Sequence, residues 1–229
     1  MNTLILNKNT PKIIVDKLKK EYNIVFTVPI NAIDGPLKYH TDIQITKIND
    51  DMFVCEPTVY DYYVNALKGK KIICGRTVLK SNYPYDIAYN VTRVGNKCLC
   101  YEKYTDKEVV KNLNCEIINI KQGYSKCNIC VVDENSVITS DEGIFKICIE
   151  NGIDALKITD GQIDLKTFKY GFIGGASMKI RKSKLLFFGN IKLHSDYKKI
   201  REFCDLKNVE IKSFLNEKLT DLGGGFVCI

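Results

Sequence analysis

Short apolar runs recur along this chain in a fixed order: strand, tight turn, strand, helix, strand. In the first complete copy, DIQITKI from Asp42 predicts a strand, Asn49-Asp50 a turn, and Met52–Cys55 a second strand. TVYDYYVNAL then predicts a helix with Gly69 just past its end, and KIIC a third strand. The second copy runs IAYNVTRV, the Gly95-Asn96 turn, KCLCY, a helix opened by Thr105 with Glu108 completing a capping box, and EIINI. The third is NICVV, a turn over Asp133–Asn135, SVITS, a helix over Asp141–Glu150 capped by Ser140 and stopped by Asn151-Gly152, and ALKI. The fourth is ASMKI, a turn over Lys182–Lys184, LLFFG, the helix SDYKKIREFC capped by Ser195, and VEIKSF.

Asp42, Asp86, Asn128 and Ala176 hold equivalent places at the heads of these units, and a further step reaches Asp221, where one strand remains before the chain ends. The missing strand, helix and strand stand at the other terminus: TLILN, then KIIVDKLKKEY behind Thr10-Pro11, then IVFTV. A fifth unit split across the termini predicts a closed ring, because pairing the first and last strands removes exposed sheet edges. The expected fold is therefore one α/β domain over residues 1–229, a five-bladed β/α-propeller of ββαβ units. An α+β sandwich of hairpins is the alternative.

Composition narrows the function more than the fold. No apolar run reaches the roughly 20 residues needed to span a bilayer. The N-terminus lacks a basic segment followed by an apolar one, so the expected location is cytoplasmic. With no secretory signal, the ten cysteines are expected as reduced thiols, mostly small hydrophobes within apolar runs. Net charge is +7, yet the basic residues are scattered lysines with only Arg76, Arg93, Arg181 and Arg201 among them. That pattern, without Trp or interleaved aromatics, argues against nucleic acid as the partner. Cys98, Cys100, Cys127 and Cys130 lack the paired CxxC turns of a zinc site, and no metal or cofactor is expected.

Five ββαβ units in a ring resemble the pentein fold of arginine and agmatine deiminases, dimethylarginine hydrolases and amidinotransferases. Gly223-Gly224-Gly225-Phe226-Val227-Cys228 resembles the Gly-rich strand that presents their nucleophilic Cys, and His40-Thr41-Asp42 resembles their His-x-Asp element. HTDI, GYSKCNI, GFIGGAS and LTDLGG resemble marks of an uncharacterised bacterial family in that guanidino-group-modifying superfamily. The resemblance implies a catalytic Cys228, with His40 as acid/base and Asp42 holding a guanidinium.

In such a ring the heads of the first strands converge on the axis. His40 and Asp42, two apart on a strand, would share a face, where the carboxylate orients the imidazole. Asp86, Asn90, Lys126, Asn128, Ser177 and Asp221 are expected beside them as substrate-binding groups, because polar groups buried there must pair with one another or with a ligand. The expected ligand is a small guanidino or amidino cation, hydrolysed or transferred. The alternatives are a non-catalytic binding or scaffold protein of the same fold, with a protein or RNA partner, and a metal-dependent hydrolase using His40, Asp42 and Asp86.

Overall fold

The computed structural model describes residues 1–229 and contains five three-stranded sheets. The first holds β1 (Thr3–Leu6) and β2 (Asn23–Phe26), joined through α1 (Lys12–Leu18). After a helical turn, α2 (Thr41–Gln44), come β3 (Ile45–Lys47), β4 (Met52–Cys55), α3 (Tyr60–Ala66) and β5 (Lys71–Cys74). The next unit is β6 (Thr92–Val94), β7 (Lys97–Cys100), α4 (Lys107–Asn112) and β8 (Glu116–Asn119). A second helical turn, α5 (Ser125–Asn128), leads into β9 (Cys130–Val131), β10 (Ser136–Thr139), α6 (Glu142–Glu150) and β11 (Asp154–Lys157). The fourth unit is β12 (Ser177–Arg181), β13 (Lys184–Phe187), α7 (Tyr197–Leu206) and β14 (Glu210–Ser213), and β15 (Gly225–Cys228) ends the chain.

Each sheet pairs its first two strands antiparallel and its last two parallel, the latter across a helix. β15 supplies the missing first strand of the β1–β2 sheet, with Thr3 opposite Cys228 and Leu6 opposite Gly225. The split fifth unit and the pentein-like ring are therefore as the repeat predicts.

The middle strands carry the core. Leu4–Leu6, Phe53–Cys55, Cys98–Cys100 and Leu185–Phe187 are wholly buried, which is why they read as unbroken apolar runs rather than alternating ones. Ile5 faces Phe226 on one neighbour and Val25 on the other, in a cluster with Ile43, Phe53 and Cys228. Ile5→Val is expected to lower stability by about 1 kcal/mol, read from the shift in urea midpoint, because it deletes one buried methylene at the ring closure.

Hydrogen bonds at the axis knit the five units into a circle. Asp42 N–H donates to Gly223 O (3.2 Å), and Gly224 N–H donates to Gly175 O (2.8 Å). Gly175 N–H donates to Cys127 O (2.9 Å), Lys126 N–H to Asn90 Oδ1 (2.6 Å), and Asn90 Nδ2 to Asp42 O (3.1 Å). Each unit thus donates to the one before it, and the first donates to the last.

Three expectations are corrected. The heads of the first and third units are helical turns rather than strand, so β3 and β9 begin later than the pattern predicts. The helix caps fall on the following aspartates: Asp106 accepts from Glu108 N–H and Asp141 from Ile144 N–H, each at 2.8 Å, and Asp196 stands at the start of α7. A carboxylate suits the positive end of a helix better than the Thr105, Ser140 or Ser195 hydroxyl. Finally, Cys98 and Cys115 form a disulfide (Cα–Cα 6.1 Å), while eight cysteines are free. The parallel pairing of β7 and β8, with Cys98 opposite Ile117, brings the chain leading into β8 alongside Cys98. No helix is long and apolar enough to cross a membrane.

Candidate functional site

The two helical turns do what a plain strand could not: they turn side chains from different units inward at one depth. His40 is the residue before α2, and Asp42 lies within its first turn. Cys127, inside α5, meets them from the third unit, and Asp221 from the fifth. All four are at most 2% exposed. A ring nitrogen of His40, a carboxylate oxygen of Asp42 and Sγ of Cys127 lie within 4.8 Å of one another. Nδ1 of His40 stands 3.9 Å from Oδ1 of Asp42 and 3.9 Å from Oδ1 of Asp221. The Cys127 thiol donates to Oδ2 of Asp42 (2.9 Å), and Asn90 Nδ2 lies 3.4 Å from the sulfur.

Asp221 is fixed by the backbone: Oδ2 accepts from Phe172 N–H and Oδ1 from Gly223 N–H, both at 2.9 Å. Glycines make room for this crowding. A Cβ on Gly175 would stand 1.9 Å from Oδ1 of Asp221, and one on Gly223, which has φ +73°, would stand 2.5 Å from Cβ of His40. Close packing at the axis therefore accounts for both Gly-rich runs.

Electrostatically the group is unfinished. Both nitrogens of His40 and Oδ1 of Asp42 are buried without a hydrogen-bond partner. Burial pushes the Asp42 carboxyl up to about 6; the neighbouring Asp221 charge adds to this, while His40, the Cys127 thiol and Lys126 oppose it. Burial, with the charges of Asp42 and Asp221, also holds the Cys127 thiol well above its ordinary value.

The expected site residues divide. His40, Asp42 and Asp221 come together. Asn90 joins them as a link in the hydrogen-bond circle. Lys126 contributes its charge to Asp42, but its ammonium reaches towards the Phe226 ring (6.0 Å). Asp86, also buried, accepts instead from the Tyr124 hydroxyl, and burial raises its pKa. Asn128 Nδ2 donates to Tyr124 O (2.9 Å), and the Ser177 hydroxyl donates to Gly174 O (3.3 Å).

Cys228 lies elsewhere. β15 runs away from Gly223, which packs on His40, and five residues of extended chain span roughly 16 Å. Its thiol is 2% exposed among apolar core residues and pushed up to about 11 by burial, with Lys47 and Lys70 as the opposing charges. The thiol of the axial group is thus Cys127, which strand alternation alone could not single out. Its signal was that GYSKC carries no strand alternation.

Tyr124 and Phe172 stack beside the group, with centroids 6.4 Å apart and planes at 29°. Tyr124 is tethered to Asp86 and Phe172 to Asp221.

A model for the family described as "Family of unknown function (DUF6873)" matches residues 5–226, and the chain belongs to that family. No match is found among curated proteins. Among solved structures the chain is similar to a mutant DDAH from Pseudomonas aeruginosa complexed with citrulline. The TM-score is 0.56 at 9% identity, covering 93% of this chain and 91% of that one. It is also similar to an agmatine deiminase of C. jejuni (TM-score 0.53, 10% identity, 93% of this chain and 76% of that one). The inosamine-phosphate amidinotransferase of Streptomyces griseus gives a TM-score of 0.52 at 10% identity, with 93% and 75% covered. The chain shares the pentein fold of these proteins.

Proposed function

We propose that this chain binds a guanidino- or amidino-bearing small molecule at the axial His40–Asp42–Cys127–Asp221 group and hydrolyses or transfers that group through Cys127. The carrying observation is the buried, unpartnered polar set: Oδ1 of Asp42 and both His40 nitrogens, of which at most one can accept, have no hydrogen-bond partner, and two carboxylates face one imidazole. A planar cation with several N–H donors fits that lack.

The chemistry follows from the contacts. An entering guanidinium takes the Asp42 oxygen that now accepts the Cys127 S–H bond, and its positive charge favours the thiolate. The thiol proton passes to His40, and sulfur attacks the guanidinium carbon. The imidazolium returns the proton to the departing amine as the C–N bond breaks, leaving an S-amidino enzyme. Water, or an acceptor amine, then attacks that carbon with His40 as base and frees the thiolate. With every member buried, the ligand enters by displacement of a covering segment such as the Tyr124–Phe172 stack.

The test is alkylation by 2-chloroacetamidine against neutral chloroacetamide, with each cysteine followed by mass spectrometry. Cys127 should react with the amidine about tenfold faster or more, the worth of roughly 1.4 kcal/mol of charge pairing, and Asp42→Asn should remove that preference. Amidine labelling at Cys228 would return the nucleophile to the terminal strand. Slow, unselective labelling would leave a non-catalytic binding or scaffold protein.

A second reading is favoured by the 4.8 Å cluster of imidazole, carboxylate and thiol, donor types that suit zinc. Stoichiometric zinc in the purified protein, with Cys127 protected from alkylation until a chelator is added, would make the thiolate a ligand and sink the covalent scheme.

A further inference from the structure

The first strands run from the axial group to the opposite end of the ring. Asp42, Asn90, Cys127 and Asp221 precede β3, β6, β9 and β15, whereas the turns that follow the first strands gather at the other mouth. There they enclose an open cavity of about 830 Å³, lined by residues of all five units, among them Asp50, Asn96, Glu134, Lys182 and Ile229. Its walls include Val91, Met178 and Phe226, so part of it is apolar.

Six cationic side chains line it against three acidic ones. Three of the six are neutralised: Lys47 pairs with Asp50 (2.6 Å), Lys182 with Glu134 (3.2 Å), and Arg181 with Glu21 outside the cavity. Arg93 donates only to the carbonyls of Ile48, Gly95 and Asn114. Lys126 and Lys179 have no carboxylate within 4 Å. Both are partly buried and both line the cavity, and the charge of each acts on the buried Cys130 thiol. Burial lowers the pKa of Lys179, and the charges of Asp133 and Glu134 oppose that shift without reaching ion-pair distance.

We propose that this basin is a second ligand site, at the other mouth of the ring from the axial group though Lys126 acts on both, and that it takes an organic phosphate whose body lies on Phe226, Val91 and Met178 and whose phosphate sits between Lys126 and Lys179. Lys126, Lys179 and Arg93 carry three positive charges against Asp133, the one lining carboxylate left without an ion pair, so the excess is about two. A phosphate monoester near −2 matches it, whereas a single carboxylate would leave one charge unpaired. Cavity size and mixed lining are those of small-molecule sites.

Pyridoxal 5′-phosphate is the probe. Its aldehyde condenses with an unprotonated lysine amine, losing water, and borohydride reduces the imine to a stable secondary amine that peptide mass spectrometry locates. Lys179 or Lys126 should be labelled about tenfold faster or more than exposed lysines such as Lys8, from the raised local concentration of the anion. Inorganic pyrophosphate should protect, and pyridoxal without its phosphate should show no preference. Lys126→Ala should slow labelling of Lys179 about tenfold, with thermal unfolding as the check on folding. Protection of the wild-type chain needs no variant. Uniform labelling of lysines, or no protection by pyrophosphate, would overturn the site. Protection by succinate equal to that by pyrophosphate would overturn the phosphate assignment.

Discussion

Asp221→Ala is expected to lower folding stability by about 4 kcal/mol, because it removes an anionic acceptor from two buried backbone donors at once. Phe172 N–H and Gly223 N–H each give 2.9 Å hydrogen bonds to its carboxylate, and the residue is 2% exposed. Hydrogen bonds to a charged group contribute roughly 1.5–3 kcal/mol each, and both donors would be left dry. Those two donors belong to different parts of the ring: one to the segment before β12, the other to the turn that seats His40 and bonds Asp42 N–H. Loss of Asp221 should therefore loosen the hydrogen-bond circle at two links. Asp221→Asn, which keeps one acceptor and turns a donor towards the other N–H, should cost about half as much. Gly175→Ala should approach the alanine variant, since its Cβ would stand 1.9 Å from the same carboxylate. Urea denaturation of the purified variants measures all three. A loss below about 1 kcal/mol for Asp221→Ala would mean that the ring closes without this strut and that the carboxylate serves only ligand binding.

The strut also shows where sequence reasoning succeeds and where it stops. The ring was legible because its evidence is global. Middle strands buried on both faces write continuous apolar runs, the runs recur at near-constant spacing, and a unit missing its tail at one terminus finds it at the other. The site was half legible. His40, Asp42 and Asp221 stand at repeat-equivalent heads, so the ring alone brings them together. Cys127 was not, because two-residue alternation applied to a head that is a helical turn selects the flanking Lys126 and Asn128 instead. The Gly-rich terminal strand misled for a related reason. Gly223 is at the axis, packed on His40, but Cys228 is at the far end of a strand that runs away from it. Local resemblance found the strand and missed the depth. The pairing of Cys98 with Cys115 depends on one parallel register, which no cysteine spacing encodes.

Asp42→Asn should stabilise the protein at neutral pH while abolishing the axial cation site, and the sign follows from the titration. Burial raises the folded-state pKa of Asp42 from 3.8 to about 6. An acid whose pKa is raised on folding binds its proton more tightly in the folded state. Its contribution is thus fully present below pH 3.8 and is lost as pH rises from there through about 6. Above that window the ionised carboxylate costs about 3 kcal/mol, at roughly 1.4 kcal/mol for each pH unit that the window spans. Asparagine mimics the protonated form and keeps an oxygen to accept the Cys127 thiol, so it avoids this cost. The stability of Asp42→Asn relative to wild type should rise between about pH 4 and 6 and level off at about 3 kcal/mol, measured by urea denaturation across pH. A cation that pairs with Asp42 reverses the balance. Millimolar aminoguanidine should raise the wild-type midpoint at about pH 8, leave it unchanged at about pH 4.5, and leave Asp42→Asn unchanged at both. If Asp42→Asn were instead less stable than wild type at the higher pH, the carboxylate would already be satisfied by the protein's own groups. The cluster around it would then be a structural network rather than a site prepared for a cation.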